Sequence, residues 1–242
     1  REMERTYGSL YRGLKADAKQ VPLAAGGSGA RYSLFAAPRG GLGQLLERLT
    51  AHVPADAVRK GSEITDLQRR ADGLWQLTVN SSVTCCARKL IMATPAFRAA
   101  KLLHHSDQEL AEALNEIPYA SCAVVCLAYH KTQFRELPDS FGFIVPPCEQ
   151  RPILAASFAS NKFSERAPDD QWLVRVFLGG ACQSAVLEQS DAKLTEIAVG
   201  ELQQILGIRG APHLKLVARW PRSMPQYHVG HMARIEKIEQ HI

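Results

Sequence analysis

Apolar residues recur along this chain in two rhythms, and the balance between them shifts near Ile117. Ahead of that point helices and short strands alternate. The spacing from Met3 to Leu14 predicts a helix that ends near Gly13, and Ala24 to Ala30 has loop composition. After the turn Pro38-Arg-Gly-Gly41, Leu42, Leu45, Leu46 and Leu49 fall on one helical stripe. Val58–Leu67 and Leu74–Val79 read as strands joined at the turn Ala71-Asp-Gly73, and Val83–Ala87 as a third strand. Lys89-Leu-Ile-Met-Ala93 is an apolar run that predicts a buried strand leading into Thr94-Pro95, followed by helices over Ala96–Leu103 and Asp107–Glu116.

Beyond Ile117 the pattern is mostly strand. Ala120 to Tyr129 is almost unbroken apolar sequence, and Phe141–Val145, Ile153–Phe158 and Trp172–Leu178 are further strands. One amphipathic helix is predicted over Asp191–Leu206, with Leu194, Ile197, Ala198, Leu202 and Ile205 on one face. Leu214–Arg219 is a last strand before Trp220. The fold class expected is α/β (α+β), with an α/β part interleaved with a strand-rich part of mixed sheet. The α/β part takes residues 38–104 and 214–242, and the strand-rich part takes residues 117–210.

Composition narrows the classes. The chain has 242 residues, 46% apolar and 22% charged, which is ordinary globular content. Its net charge of +5 is spread out, with Arg59-Lys60 and Arg69-Arg70 the only dense spots, so no nucleic-acid footprint is expected. Six cysteines form no C-x-x-C, and no histidine pair has zinc spacing, so no metal is expected. No apolar run nears the ~20 residues of a membrane helix, and nothing resembles a signal peptide. The expected location is cytoplasmic. Nucleophilic catalysis has no motif behind it, and no G-x-G-x-x-G follows a strand.

More specific signals lie in the order of several segments. They are Tyr7-Gly-Ser-Leu-Tyr-Arg-Gly13, Phe141-Gly-Phe-Ile-Val-Pro-Pro147, Phe163-Ser-Glu-Arg-Ala-Pro168, Phe177-Leu-Gly-Gly180, and Trp220-Pro-Arg-Ser-Met-Pro-Gln-Tyr227 with Gly230-His231. In order and spacing the chain resembles the oxygen-dependent protoporphyrinogen oxidase family, within the flavin amine-oxidase-like superfamily. The resemblance implies FAD-dependent oxidation of protoporphyrinogen IX to protoporphyrin IX, with O2 as acceptor and hydrogen peroxide as the other product. It also implies that this chain is an internal piece lacking the FAD fingerprint and inactive alone, since both ends fall inside helix-like patterns. On that reading residues 1–20 end a helical substrate or membrane lobe, the α/β part belongs to a Rossmann-like FAD-binding domain, and the strand-rich part binds substrate.

Residue roles follow from the resemblance. Ile64 would press its backbone on the adenine ring, Thr94 and Pro95 would lie close to the dinucleotide, and Trp220 would lie against the flavin. Phe177 would stack on the macrocycle, with Ile144 and Ser157 lining the slot. Ser157 stands where the family often has an aliphatic residue. The family's carboxylate-binding arginine comes from a segment N-terminal to this piece, and no catalytic residue is assigned. The turn at Gly40-Gly41 has a counterpart beneath the flavin. Read without the resemblance, Ile64, Ile144 and Phe177 are ordinary strand residues, Thr94-Pro95 is a helix start, and Trp220 packs a domain seam. His228 and His231 read as loop histidines. The resemblance leaves room for peripheral membrane contact on the cytoplasmic face and for a homodimer. Three other readings stand beside it: coproporphyrinogen III oxidation, another enzyme such as a carotenoid desaturase or amine oxidase, and a non-catalytic tetrapyrrole-binding fragment.

Overall fold

The structure is a computed structural model and describes residues 37–241 together with Thr6. The helix expected from Met3 to Leu14, the loop from Ala24 to Ala30, the lobe assigned to residues 1–20 and the Tyr7–Gly13 motif therefore lie outside the described residues.

Helix α1 (Leu42–Ala51) opens the described chain after the Pro38–Gly41 turn. An antiparallel meander follows, built from β1 (Ile64–Arg69), β2 (Trp75–Val79) and β3 (Val83–Ala87). Gly73 makes the first hairpin turn at φ 80°, a backbone conformation that glycine reaches without steric cost. Helices α2 (Ala96–Leu103) and α3 (Gln108–Asn115) come next. Asp107 caps α3 by accepting from the Leu110 N–H.

The remaining strands form a five-stranded sheet in the order β5-β6-β7-β4-β8. They are β4 (Tyr119–His130), β5 (Gly142–Ile144), β6 (Ala155–Phe158), β7 (Gln171–Gly179) and β8 (Leu214–Pro225). The short helix α4 (Ala159–Lys162) follows β6, and α5 (Asp191–Leu206) joins β7 to β8. Helix α6 (His231–Glu239) closes the chain. The expected α/β (α+β) class holds, and within it every described strand pair is antiparallel.

Two cores result. In the first, one face of the large sheet packs on α5. Ala123, Val125, Leu127 and Tyr129 from β4 and Trp172, Val174, Val176 and Leu178 from β7 meet Leu194, Ala198 and Leu202. Their spacing of two on strands and four on the helix is what puts each set on one face. Trp172 is sealed in and donates its indole N–H to Asn161 Oδ1 at 2.9 Å. The second core gathers Leu67 of β1, Ala100 and Leu103 of α2, Leu110 of α3 and Ile238 of α6. Strand β4 contributes to both, with Tyr119 packed on the second core and Tyr129 in the first.

The strand expected from Val58 begins only at Ile64, and two further expectations change. Lys89–Ala93 is extended but joins no ladder among the described residues. A buried parallel strand needs neighbours on both sides, and here Leu90 and Met92 pack on the second core while Ile91 is 92% exposed. The last strand also runs beyond Arg219, through Trp220 to Pro225. A bulge permits this extension. Ala120 pairs with Met224 and Cys122 with Trp220, so Pro221–Ser223 face Ser121 alone. Arg222 takes φ 44° there and donates its N–H to Ser121 Oγ at 2.9 Å.

Candidate functional site

A cavity of about 470 Å³ opens beside the meander. Ile64 and Leu67 of β1 and Leu77 of β2 form one wall. The segment from Leu90 to Pro95 forms another, and Arg98, Lys101 and Leu102 of α2 a third. Helical spacing of three places Arg98 and Lys101 on one side of α2. Among the described residues no hydrogen bond ties the backbone of Leu90–Thr94 to other groups. Ile64, Thr94 and Pro95 thus line one cavity, although they come from distant parts of the sequence.

The second assembly is the outer face of the large sheet. Cross-strand partners share a face, as do residues two apart on a strand. One row runs Ile144, Ala155, Phe177, Val124, Ala218. The next runs Gly142, Ser157, Arg175, Cys126, Leu216. Trp220 lies on the same face, opposite Cys122. Ile144, Ser157, Phe177 and Trp220 therefore look out from one face, and the opposite face is the first core. Ile144 is 83% and Trp220 53% exposed, so neither is core filling among the described residues. Trp220 does not line the cavity that holds Ile64, Thr94 and Pro95.

Glycines let strands and turns close up at the rim of this face. A Cβ on Gly142 (φ 146°) would come within 2.2 Å of the Ala156 carbonyl. One on Gly179 (φ 93°) would sit 2.8 Å from Leu187. The Phe163–Pro168 motif also has a structural task, since Arg166 stacks on Phe163 at 5.4 Å and donates to the Pro38 carbonyl at 3.0 Å. It thereby docks on the turn that precedes α1.

The cavity and the face are joined where α2 begins. The Ala96 N–H donates to the Tyr119 hydroxyl at 2.9 Å. Phe97 meets the Tyr119 ring edge-on at 5.2 Å, and the Arg222 guanidinium lies 3.8 Å from the Phe97 centroid. The bulge in β8 thus turns Arg222 toward the helix that Thr94-Pro95 introduces.

Burial pushes the Cys122 thiol up, which keeps it neutral. The described cysteines are all free, and no metal-binding group of His, Cys, Asp or Glu exists among the described residues. His231 starts α6 with its ring 4.5 Å from Tyr227, and His228 lies in the loop before it. Sequence reasoning missed Arg98, Lys101, Arg175 and Arg222. Helical spacing from Thr94-Pro95 could have found Arg98 and Lys101, and strand alternation from Phe177 could have found Arg175. Nothing in the sequence signals the bulge that turns Arg222.

The large sheet thus presents an open, mostly apolar outer face, and a separate cavity lies between the meander and α2. The chain belongs to the flavin-containing amine oxidoreductase family, whose model matches residues 2–239. It is 27% identical to coproporphyrinogen III oxidase of Bacillus subtilis (strain 168), over 99% of this chain and 50% of that protein. It is 30% identical to human (Homo sapiens) protoporphyrinogen oxidase, over 99% of this chain and 52% of that protein. Among solved structures it resembles a protein of Exiguobacterium sp. 255-15 that carries a provisional protoporphyrinogen oxidase assignment, with TM-score 0.77, 24% identity, and coverage of 99% of this chain and 49% of that one. UDP-galactopyranose mutase shares the fold at TM-score 0.67 and 15% identity, over 83% of this chain and 43% of that one. The chain spans about half the length of the curated relatives it matches.

The family is flavin-containing. The cavity suits part of such a group: Ile64, Leu67, Leu77, Leu90 and Met92 give apolar walls, Ser62, Glu63 and Thr65 add polar atoms, and Arg98 and Lys101 offer positive charge.

Proposed function

We propose that this chain is the part of a porphyrinogen-oxidising flavoenzyme that presents the macrocycle, with protoporphyrinogen IX as substrate and O2 as acceptor. The observation that carries the reading is the shared outer face of the large sheet, on which Phe177, Ile144, Ser157 and Trp220 stand together. A porphyrinogen is broad and apolar, and it needs a broad apolar wall with an aromatic contact. FAD, when bound, supplies the acceptor that takes a hydride from the macrocycle and passes electrons to O2.

This chain's own residues bind and orient. Phe177 offers its ring to the macrocycle, and Ile144 borders it. Trp220, half-exposed at the end of the face nearest α2, screens the reacting edge from water. Ile64, Thr94 and Pro95 hold the dinucleotide by backbone and shape, and Arg98 and Lys101 add charge. The Arg222–Phe97–Tyr119 contacts set the distance between the two binding regions. A second reading is coproporphyrinogen III oxidation, supported by the similarity to the Bacillus subtilis enzyme.

Visible titration of the purified chain with FAD and then protoporphyrin IX tests the proposal. A shifted porphyrin band that Phe177→Ala weakens at least fivefold is the expected result. An unshifted band in the wild-type chain would overturn it. A flavin spectrum weakened by Arg98→Ala is expected if the cavity holds the dinucleotide.

A further inference from the structure

The face that carries Phe177 has one polar corner. Ser157 and Arg175 are direct cross-strand partners on β6 and β7, in the row beside Phe177. The Arg175 guanidinium lies 5.5 Å from the Phe177 centroid. It is exposed, and no carboxylate among the described residues pairs with it. Its neighbours across the next strands are Cys126 and Leu216, which offer no anion. The cation therefore sits at the edge of an apolar wall with its donors uncommitted. Contact with the Phe177 ring restricts where that fork can point.

We propose that Arg175, assisted by the Ser157 hydroxyl, forms a carboxylate subsite for an acidic side chain of the macrocycle that stacks on Phe177. The inference rests on the porphyrinogen reading above. Along a strand, residues two apart are separated by about 7 Å. A ring lying over Phe177 thus projects its edge substituents toward Arg175. A guanidinium takes a carboxylate through two parallel N–H donors, and a serine hydroxyl at the paired position supplies a third. An aliphatic residue at position 157 would leave that third donor out, so the serine acquires a purpose here. The subsite favours a macrocycle that carries acidic chains on more of its rings. It is separate from the arginine that the family resemblance places N-terminal to this chain.

The test is porphyrin binding by the wild-type chain and by Arg175→Met, Arg175→Lys and Ser157→Ala, with coproporphyrin III and its fully methylated ester as probes. The wild type is expected to bind the acid about tenfold more tightly than the ester, the discount for exposure included. Arg175→Met should bring the two close to parity while leaving ester binding unchanged. Arg175→Lys should restore part of the preference, and Ser157→Ala should lose about half of it on a logarithmic scale. An unchanged acid-to-ester ratio in Arg175→Met would sink the subsite and leave the porphyrin reading standing. Equal loss of acid and ester would make Arg175 a packing residue only and would also overturn the subsite. A wild-type chain that binds neither probe would remove the porphyrinogen reading, and the subsite with it.

Discussion

The hydroxyl of Tyr129 is sealed in the first core and has no hydrogen-bond partner among the described residues. Burial pushes its pKa up to about 12. An unpaired buried hydroxyl costs about 1–3 kcal/mol. Tyr129→Phe keeps the edge-on contact with Phe134 and removes that cost. The variant should match or exceed wild-type Tm by thermal denaturation. The raised value also fixes a pH sign. Unfolded tyrosine ionises first, so this group leaves stability independent of pH below about 10 and lowers it as pH rises toward about 12. Tyr129→Phe should flatten that alkaline decline.

Trp172 and Trp220 give a second contrast at this scale. Trp172 is 1% exposed and packs on Phe134 at 4.7 Å. Trp172→Ala should cost about 3–5 kcal/mol in chemical denaturation. Trp220, more than half exposed, should carry most of the acrylamide-quenchable fluorescence, and Trp220→Phe should remove that fraction.

Among the elements, α3 depends on its first residue. The Leu110 N–H holds the Asp107 carboxyl below the ordinary carboxylate range, and His241 at 3.0 Å assists. Because the folded value is depressed, the contribution is present above the ordinary range and is lost as pH falls through it. Asp107→Ala should lower stability by about 1 kcal/mol near neutral pH. That difference should shrink in urea melts taken at progressively more acidic pH. The α3 start was legible in the sequence, because an aspartate ahead of an apolar stripe is a local signal. So were α5, β2 and β7, whose periodicities fix their buried faces without help from distant residues. The Lys89–Ala93 run was not, because its state depends on neighbours that periodicity does not describe. Nor was the continuation of β8, where Trp220-Pro221-Arg222 reads as a stop and the bulge rescues the pairing. The same limit explains the site. Phe177, Ile144 and Ser157 stand out by resemblance, whereas the pairing of Arg175 with Ser157 is fixed only by the register between β6 and β7.

At the scale of the whole molecule, apolar surface remains open. Leu214, Leu216 and Trp220 on the sheet face are exposed, as are Leu42, Leu46 and Leu49 of α1. Open apolar patches of this kind favour association. Sedimentation should show concentration-dependent self-association of the chain. Leu216→Lys should shift it toward monomer, and unchanged association would place the contact on α1 instead.

Strand β4 begins against the second core and ends within the first. In mechanical terms it is a beam clamped at both ends, and it cannot be withdrawn from one core without pulling on the other. Melting of either core should therefore release the same set of amides. Hydrogen exchange along Val124–Leu127 would report the slowest opening among the described residues, shared by the two cores. A ligand that braces one region would, through this beam alone, slow the opening of the other.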